Sequence, residues 1–179
     1  IHAAHGHLQE VIVQNFCPKP GTKMAAAPEA SEADFLRVIA AARIILPDDV
    51  SVQAPPNLNG ERLEELIAAG IDDWGGISPV TLDHVNPEAP WPEIAVLEEV
   101  CARAGRPLVE RLTIYPRFVA TDDASWIDAK LRPHVLKMAD AEGLARDSQW
   151  SPGLADAAPG TPAAPLGRIH GGPVASQVH

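Results

Sequence analysis

The sequence predicts an α/β fold built from parallel strand–helix units, on two observations. First, three short apolar runs each end in polar residues beside glycine or proline: Val11-Ile12-Val13-Gln14-Asn15, Val50-Ser51-Val52-Gln53-Ala54-Pro55-Pro56-Asn57 and Asp72-Asp73-Trp74-Gly75-Gly76-Ile77-Ser78. Second, a helical segment separates each run from the next. That is the rhythm of a parallel array in which strands are buried and their carboxyl ends face a ligand.

Residues 1–7 read as the end of a helix and 9–15 as the first strand. Pro18, Pro20 and Gly21 make the following segment a loop at that strand's end. Ser31-Glu32-Ala33-Asp34 resembles a capping box, with Asp where Glu or Gln is usual, and opens a helix over 32–46. Phe35, Leu36, Val38, Ile39, Ala42, Ile45 and Leu46 give its apolar face, and Pro47, which lacks an N–H, stops it. The second strand spans 50–54 and ends at Pro55-Pro56. Asn59 is positioned to cap a helix over 60–69 that turns Leu63, Leu66 and Ile67 inward and ends at Gly70. The third strand spans 72–78 and leads into an irregular loop. A helix over 91–104 carries Ile94, Val96, Leu97 and Val100 on its inner face. Residues 108–115 read as extended and 128–139 as a last helix, with Pro133 near its start. From 148 to 179 Pro, Ala and Gly dominate and periodicity is lost, so this stretch is expected to be a disordered tail or linker, with the folded domain over 1–147.

At 179 residues the chain suffices for one core but falls short of the roughly 250 residues of a complete eight-stranded βα barrel. It begins at Ile1 rather than Met and is expected to be a piece of a longer protein. An open edge on the first strand then predicts exposed apolar surface flanking Val11 and Val13. The net charge of -10, with no basic stripe, argues against nucleic acid as a partner. No apolar run reaches the 18 or so residues of a membrane span. Cys17 and Cys101 alone form no disulfide framework, and a cytoplasmic location is the default.

The candidate site is the set of strand ends: Gln14 and Asn15 on the first, Gln53 and Asn57 on the second, Asp73, Trp74 and Ser78 on the third. Amides on successive strand ends suit an uncharged ligand with many functional groups, such as a pyrimidine or a sugar alcohol. Each one alone is equally explained by capping of strand-end backbone groups. Asp73 is the candidate general base, whereas Asp72, on the opposite face by period two, reads as a solvated turn acid. Trp74 either stacks on a planar ring or fills the barrel. Gly75-Gly76 permits close backbone approach to a ligand, and tight packing explains it as well. His2, His5 and His7 read as a polar helix end rather than a metal site. Cys17 has no identified base beside it, and Arg111 and Tyr115 fit surface packing as well as ligand contact.

Three stretches are more specific. His5-Gly6-His7-Leu8-Gln9-Glu10-Val11-Ile12-Val13-Gln14-Asn15-Phe16 with Pro18-Lys19-Pro20-Gly21-Thr22 is similar to the radical S-adenosylmethionine FO synthases, as is Gln53-Ala54-Pro55-Pro56-Asn57-Leu58. So is Asp72-Asp73-Trp74-Gly75-Gly76-Ile77-Ser78-Pro79 with Val85-Asn86-Pro87-Glu88-Ala89-Pro90-Trp91-Pro92. The resemblance covers roughly residues 1–147 and is to the ring-closing subunit or fused half. It implies the carboxyl-terminal part of a (β/α) TIM-type barrel of the radical SAM class, about three βα units. It implies formation of the 8-hydroxy-5-deazaflavin chromophore of coenzyme F-420. The substrate is the coupled product of tyrosine and 5-amino-6-(D-ribitylamino)uracil, and ring closure releases ammonia. The implied cofactors are S-adenosyl-L-methionine and a 4Fe-4S cluster held by a Cys-x-x-x-Cys-x-x-Cys motif, which this sequence lacks. The implied partner is the tyrosine-coupling half, fused or separate. On this reading the chain alone is inactive. A noncatalytic half-barrel serving binding or assembly is the alternative.

Overall fold

The computed structural model describes residues 1–78 and 81–146, which fall into two units, Ile1–Val109 and one beginning at Glu110. The expected tail over 148–179 lies outside the described residues.

The first unit is an α/β layer pair with a small parallel sheet. Its elements are α1 (His2–His5), β1 (Glu10–Ile12), α2 (Glu32–Ile45), β2 (Ser51–Gln53), α3 (Leu63–Ala69) and α4 (Ile94–Arg103). β1 and β2 pair in parallel with Val11 opposite Val52 and Ile12 opposite Gln53. Asp73 joins the other side of β2 through a parallel bridge to Gln53. The spatial order therefore follows the sequence order, as expected of short βα crossovers.

Helix α2 starts where the capping box places it: Asp34 N–H donates to Ser31 Oγ at 3.2 Å. Gly70 ends α3 at φ 118°, a conformation that favours glycine, and an added Cβ would sit 2.9 Å from the Arg43 side chain. Phe35 and Ile39 of α2, Leu63, Leu66 and Ile67 of α3, and Leu97, Val100 and Cys101 of α4 close over Val52, Ala54 and Trp74. One face of the sheet is thus buried under helices, and Glu10, Ile12, Gln53 and Asp73 occupy register positions on the other.

Several expectations need correcting. The third strand is a single bridge residue rather than 72–78: Asp73 Oδ1 accepts the Gly75 N–H at 2.6 Å, and Gly75 leaves extended geometry at φ 76°. Asn59 does not cap α3, which begins at Leu63; its side chain is engaged by Asn15 and the Pro55 carbonyl instead. Val38 and Ile45 lie exposed on α2, because Phe35 and Ile39 alone are buried beneath that helix. Ile12, at 55% exposure, is the uncovered apolar residue of β1, whereas Val13 packs on the core. Asp72 is exposed, as expected of a solvated acid, and is also a clamp. Its Oδ1 accepts from Ser51 Oγ at 2.6 Å and Val52 N at 2.8 Å, and its Oδ2 accepts from Arg43 at 3.0 Å.

The second unit holds α5 (Pro116–Val119), a 3₁₀ turn (Ala124–Trp126) and α6 (Arg132–Met138). Residues 108–115 form no strand; the Glu110 carbonyl accepts from Ala145 N, and Arg111 turns back to the Leu112 carbonyl. Helix α6 starts at Arg132 because Asp128 caps a turn before it, donors arriving from Lys130, Leu131 and Arg132 backbone. Among the described residues of the second unit, Phe118, Val119, Ile127 and Ala139 are the buried large apolar and alanine side chains.

Candidate functional site

The polar face of the sheet brings three of its residues together. Gln53 Nε2 donates to Glu10 Oε2 at 2.5 Å, and Asp73 sits opposite Gln53 across the bridge. Gln53 is buried, whereas Glu10 and Asp73 are partly exposed. Gly75 belongs to this cluster, since a Cβ there would lie 2.8 Å from Gln53 Oε1. The accessible groups of the face are therefore carboxylates, which accept hydrogen bonds from N–H and O–H groups. Sequence reasoning from strand-end amides passes over Glu10. The signal that marks it is period two, which sets it on one face with Ile12 and Gln14, opposite Val11 and Val13.

Gly75→Ala is expected to destabilise the first unit by about 1–3 kcal/mol, since it adds both left-handed strain and a clash with Gln53. Gly76→Ala, with open space at its Cβ, is the control and should cost far less. Chemical denaturation of both variants checks this.

The other strand-end residues form struts between loops. Asn15 and Asn59 exchange amide hydrogen bonds, each 2.9 Å. Asn57 Nδ2 donates to Asp83 Oδ2 at 3.0 Å and to the Ala89 carbonyl at 3.3 Å. Asp83 also takes Asn86 Nδ2 on Oδ2, and the Val85 and Asn86 N–H groups on Oδ1. Lys19 pairs with Glu88, joining the loop after β1 to the one that carries Asp83. Gln14 is exposed past the end of β1. The Ser78 hydroxyl accepts from Thr81. Trp74 fills the core and donates its indole N–H to Cys101 Sγ at 3.3 Å, one of the two roles its sequence left open. In the second unit, Arg111 lies 4.2 Å over the Tyr115 ring.

The hydrogen bonds from Asn86, first its side chain and then its backbone, hold the Asp83 carboxyl down at about 2, against an ordinary 3.8. A depressed carboxylate contributes stability above its unfolded value and loses it as pH falls through the folded one. The loop tie at Asp83 should therefore stay intact to below pH 3.8 and open as pH approaches about 2. Side-chain amide resonances of Asn57 and Asn86 followed through an acid titration test this; a midpoint at the ordinary carboxylate value would contradict it.

Among the described residues no three His, Cys, Asp or Glu side chains are grouped to hold a metal ion. The residues present do not fit an iron–sulfur cluster. The sequence has two cysteines; Cys17 is partly exposed in a loop and Cys101 is buried on α4 against Trp74, while a cluster needs three or four thiolates. Among the described residues no helix is long and apolar enough to cross a membrane.

Fold and site together define a segment of parallel α/β architecture, with a carboxylate-bearing sheet face and interlocked loops at its strand ends. Sequence comparison is more particular. The chain is 52% identical over 148 residues to FO synthase of Mycobacterium tuberculosis, covering 82% of this chain and 17% of that protein. It is 52% identical over 146 residues to 7,8-didemethyl-8-hydroxy-5-deazariboflavin synthase of Methanopyrus kandleri, covering 82% of this chain and 42% of that protein. FO synthase of Nocardia farcinica is 48% identical over 155 residues, with 86% and 18% covered. The chain is a homologue of part of the FO synthases, and it spans less than half the length of these relatives. No protein-family model and no solved structure matches it significantly.

Proposed function

We propose that the chain is part of an enzyme forming the 8-hydroxy-5-deazaflavin chromophore FO in coenzyme F-420 biosynthesis, and that it walls one side of the substrate pocket. The observation that supports this beyond homology is the match of chemistries at the polar sheet face. Glu10 and Asp73 offer acceptors there, and the coupled product of tyrosine and 5-amino-6-(D-ribitylamino)uracil is rich in N–H and O–H donors. The substrate-contacting set is Gln14, Asn15, Gln53, Asn57, Asp73 and Ser78, extended by Glu10, whereas Trp74 fills the core. Gln53 orients Glu10 through its amide; Asp73, bonded to the backbone at Gly75, receives a donor or a proton from the closing ring.

In this reading the sheet is part of a TIM-type barrel. The 4Fe-4S cluster and S-adenosyl-L-methionine, which supply the radical chemistry, are held by polypeptide outside this sequence. The tyrosine-coupling half is the partner. It is consistent with a fused arrangement in some proteins that similar aligned lengths make up 17% of the Mycobacterium protein and 42% of the Methanopyrus one, the former being more than twice as long. The protein acts in the cytoplasm. The presence of only two cysteines favours one second reading, a noncatalytic binding or assembly module.

The test uses the full-length protein with its partner half. Asn57→Ala and Asp73→Ala should each lower deazaflavin formation roughly ten- to a hundredfold, the equivalent of one lost buried hydrogen bond to the ligand. Iron content should not change. Turnover equal to wild type in both variants would mean that these residues serve the loops alone.

A further inference from the structure

Asn57 is held in one orientation. Both neighbours of its Nδ2, the Asp83 carboxylate and the Ala89 carbonyl, are acceptors, so the amide cannot turn over without placing oxygen against oxygen. Its Oδ1 is thereby fixed on the other side. That atom is buried and, among the described residues, accepts from no protein donor. A buried acceptor with no donor is destabilising unless a ligand or water group meets it. Asp83 in turn is saturated: its two oxygens take four donors, from Asn57, Asn86 twice and Val85. None of its capacity is left for a ligand.

We infer that Asp83 is a positioning residue that fixes Asn57 Oδ1 as an acceptor for an N–H or O–H donor of the bound ligand. This rests on the proposed reading of the strand ends as the substrate site, and it names the chemistry Asn57 selects there. A low carboxyl pKa agrees with it, because an ionised Asp83 is an acceptor only.

Substitution by asparagine separates positioning from loop structure. In Asp83→Asn the new Oδ1 can still take the Val85 and Asn86 backbone N–H groups, so the turn is retained. The new Nδ2, however, faces both the Asn57 Nδ2 and the Asn86 Nδ2. Asn57 then keeps only the Ala89 carbonyl as an acceptor, and its amide is no longer held in one orientation. A double-mutant cycle with Asn57→Ala tests whether Asp83 acts through Asn57. If it does, Asp83→Asn adds no further loss of binding once Asn57→Ala has removed the amide.

The experiment is a binding titration of the coupled product of tyrosine and 5-amino-6-(D-ribitylamino)uracil to the full-length protein, with deazaflavin formation and thermal unfolding measured alongside. Asp83→Asn should weaken binding about tenfold or more, and Asn57→Ala with Asp83→Asn should bind within about threefold of Asn57→Ala alone, with little change in melting temperature. Binding by Asp83→Asn equal to wild type would overturn the inference. So would a double variant that binds about tenfold or more weaker than Asn57→Ala alone, or a wild-type protein that does not bind the probe. The two readings part cleanly. If wild type forms no deazaflavin but the binding pattern holds, the proposed reaction falls and the Asn57–Asp83 assignment stands. If wild type forms deazaflavin and Asp83→Asn matches it in both assays, the assignment alone falls.

Discussion

Leu66→Ala should destabilise the first unit by about 3 kcal/mol, inside the 2–5 kcal/mol range of buried Leu truncations. Leu66 is fully buried at the centre of α3, within the cluster that joins α2, α4 and the buried sheet face. Alanine is the better helix former, so the loss reports the cavity and lost packing rather than the helix itself. The backbone carbonyl of Leu66 also takes the Gly70 and Ile71 N–H groups that end the helix, and alanine leaves those bonds in place. Val38→Ala on α2, at an exposed position, is the comparison and should stay within about 0.5 kcal/mol of wild type. Urea denaturation of the full-length protein measures both. A loss under about 1 kcal/mol for Leu66→Ala would mean that α3 does not seal this core.

Asp72→Ala should cost a similar amount, about 3 kcal/mol, through hydrogen bonding rather than packing. The carboxylate serves the Ser51 hydroxyl, the Val52 N–H and the Arg43 guanidinium at once, and Ser51 and Val52 are buried. Truncation leaves a buried backbone donor unpaired, and that is the dominant loss. Asp72→Asn keeps an acceptor for Val52 and should lose less. The same denaturation experiment distinguishes them; equal stability of Asp72→Ala and wild type would show that water replaces the clamp.

Much of the frame was legible because local chemistry agreed with the tertiary outcome. Ser31 and Asp34 announced α2, Gly70 announced the end of α3, and the three strand-end clusters announced a parallel order that the pairings follow. The third strand was not legible at its true length. Its apolar Trp74 and Ile77 read as strand, but the Asp73 side chain captures the Gly75 backbone and turns the chain out of the ladder. The site was half legible for a related reason. Amides at strand ends mark a polar rim, yet whether each meets a ligand or another loop depends on partners far away in sequence. Asn15 finds Asn59, and Asn57 finds Asp83 and Ala89, neither of which spacing reveals. Asp72 is legible as an exposed acid but not as a clamp, since its partners Ser51 and Arg43 come from other elements. The short helix at Pro116–Val119 escaped because one turn carries no periodicity.

The central claim is that the sheet face carrying Glu10, Gln53 and Asp73 borders the substrate. A crystal structure of the full-length protein with the coupled product of tyrosine and 5-amino-6-(D-ribitylamino)uracil tests it most directly. The account predicts the pyrimidine or ribityl chain beyond the carboxyl ends of β1 and β2, with an N–H or O–H group within hydrogen-bonding distance of the Glu10 or Asp73 carboxylate. A ligand bound elsewhere, with that face covered by the protein's own side chains, would contradict it.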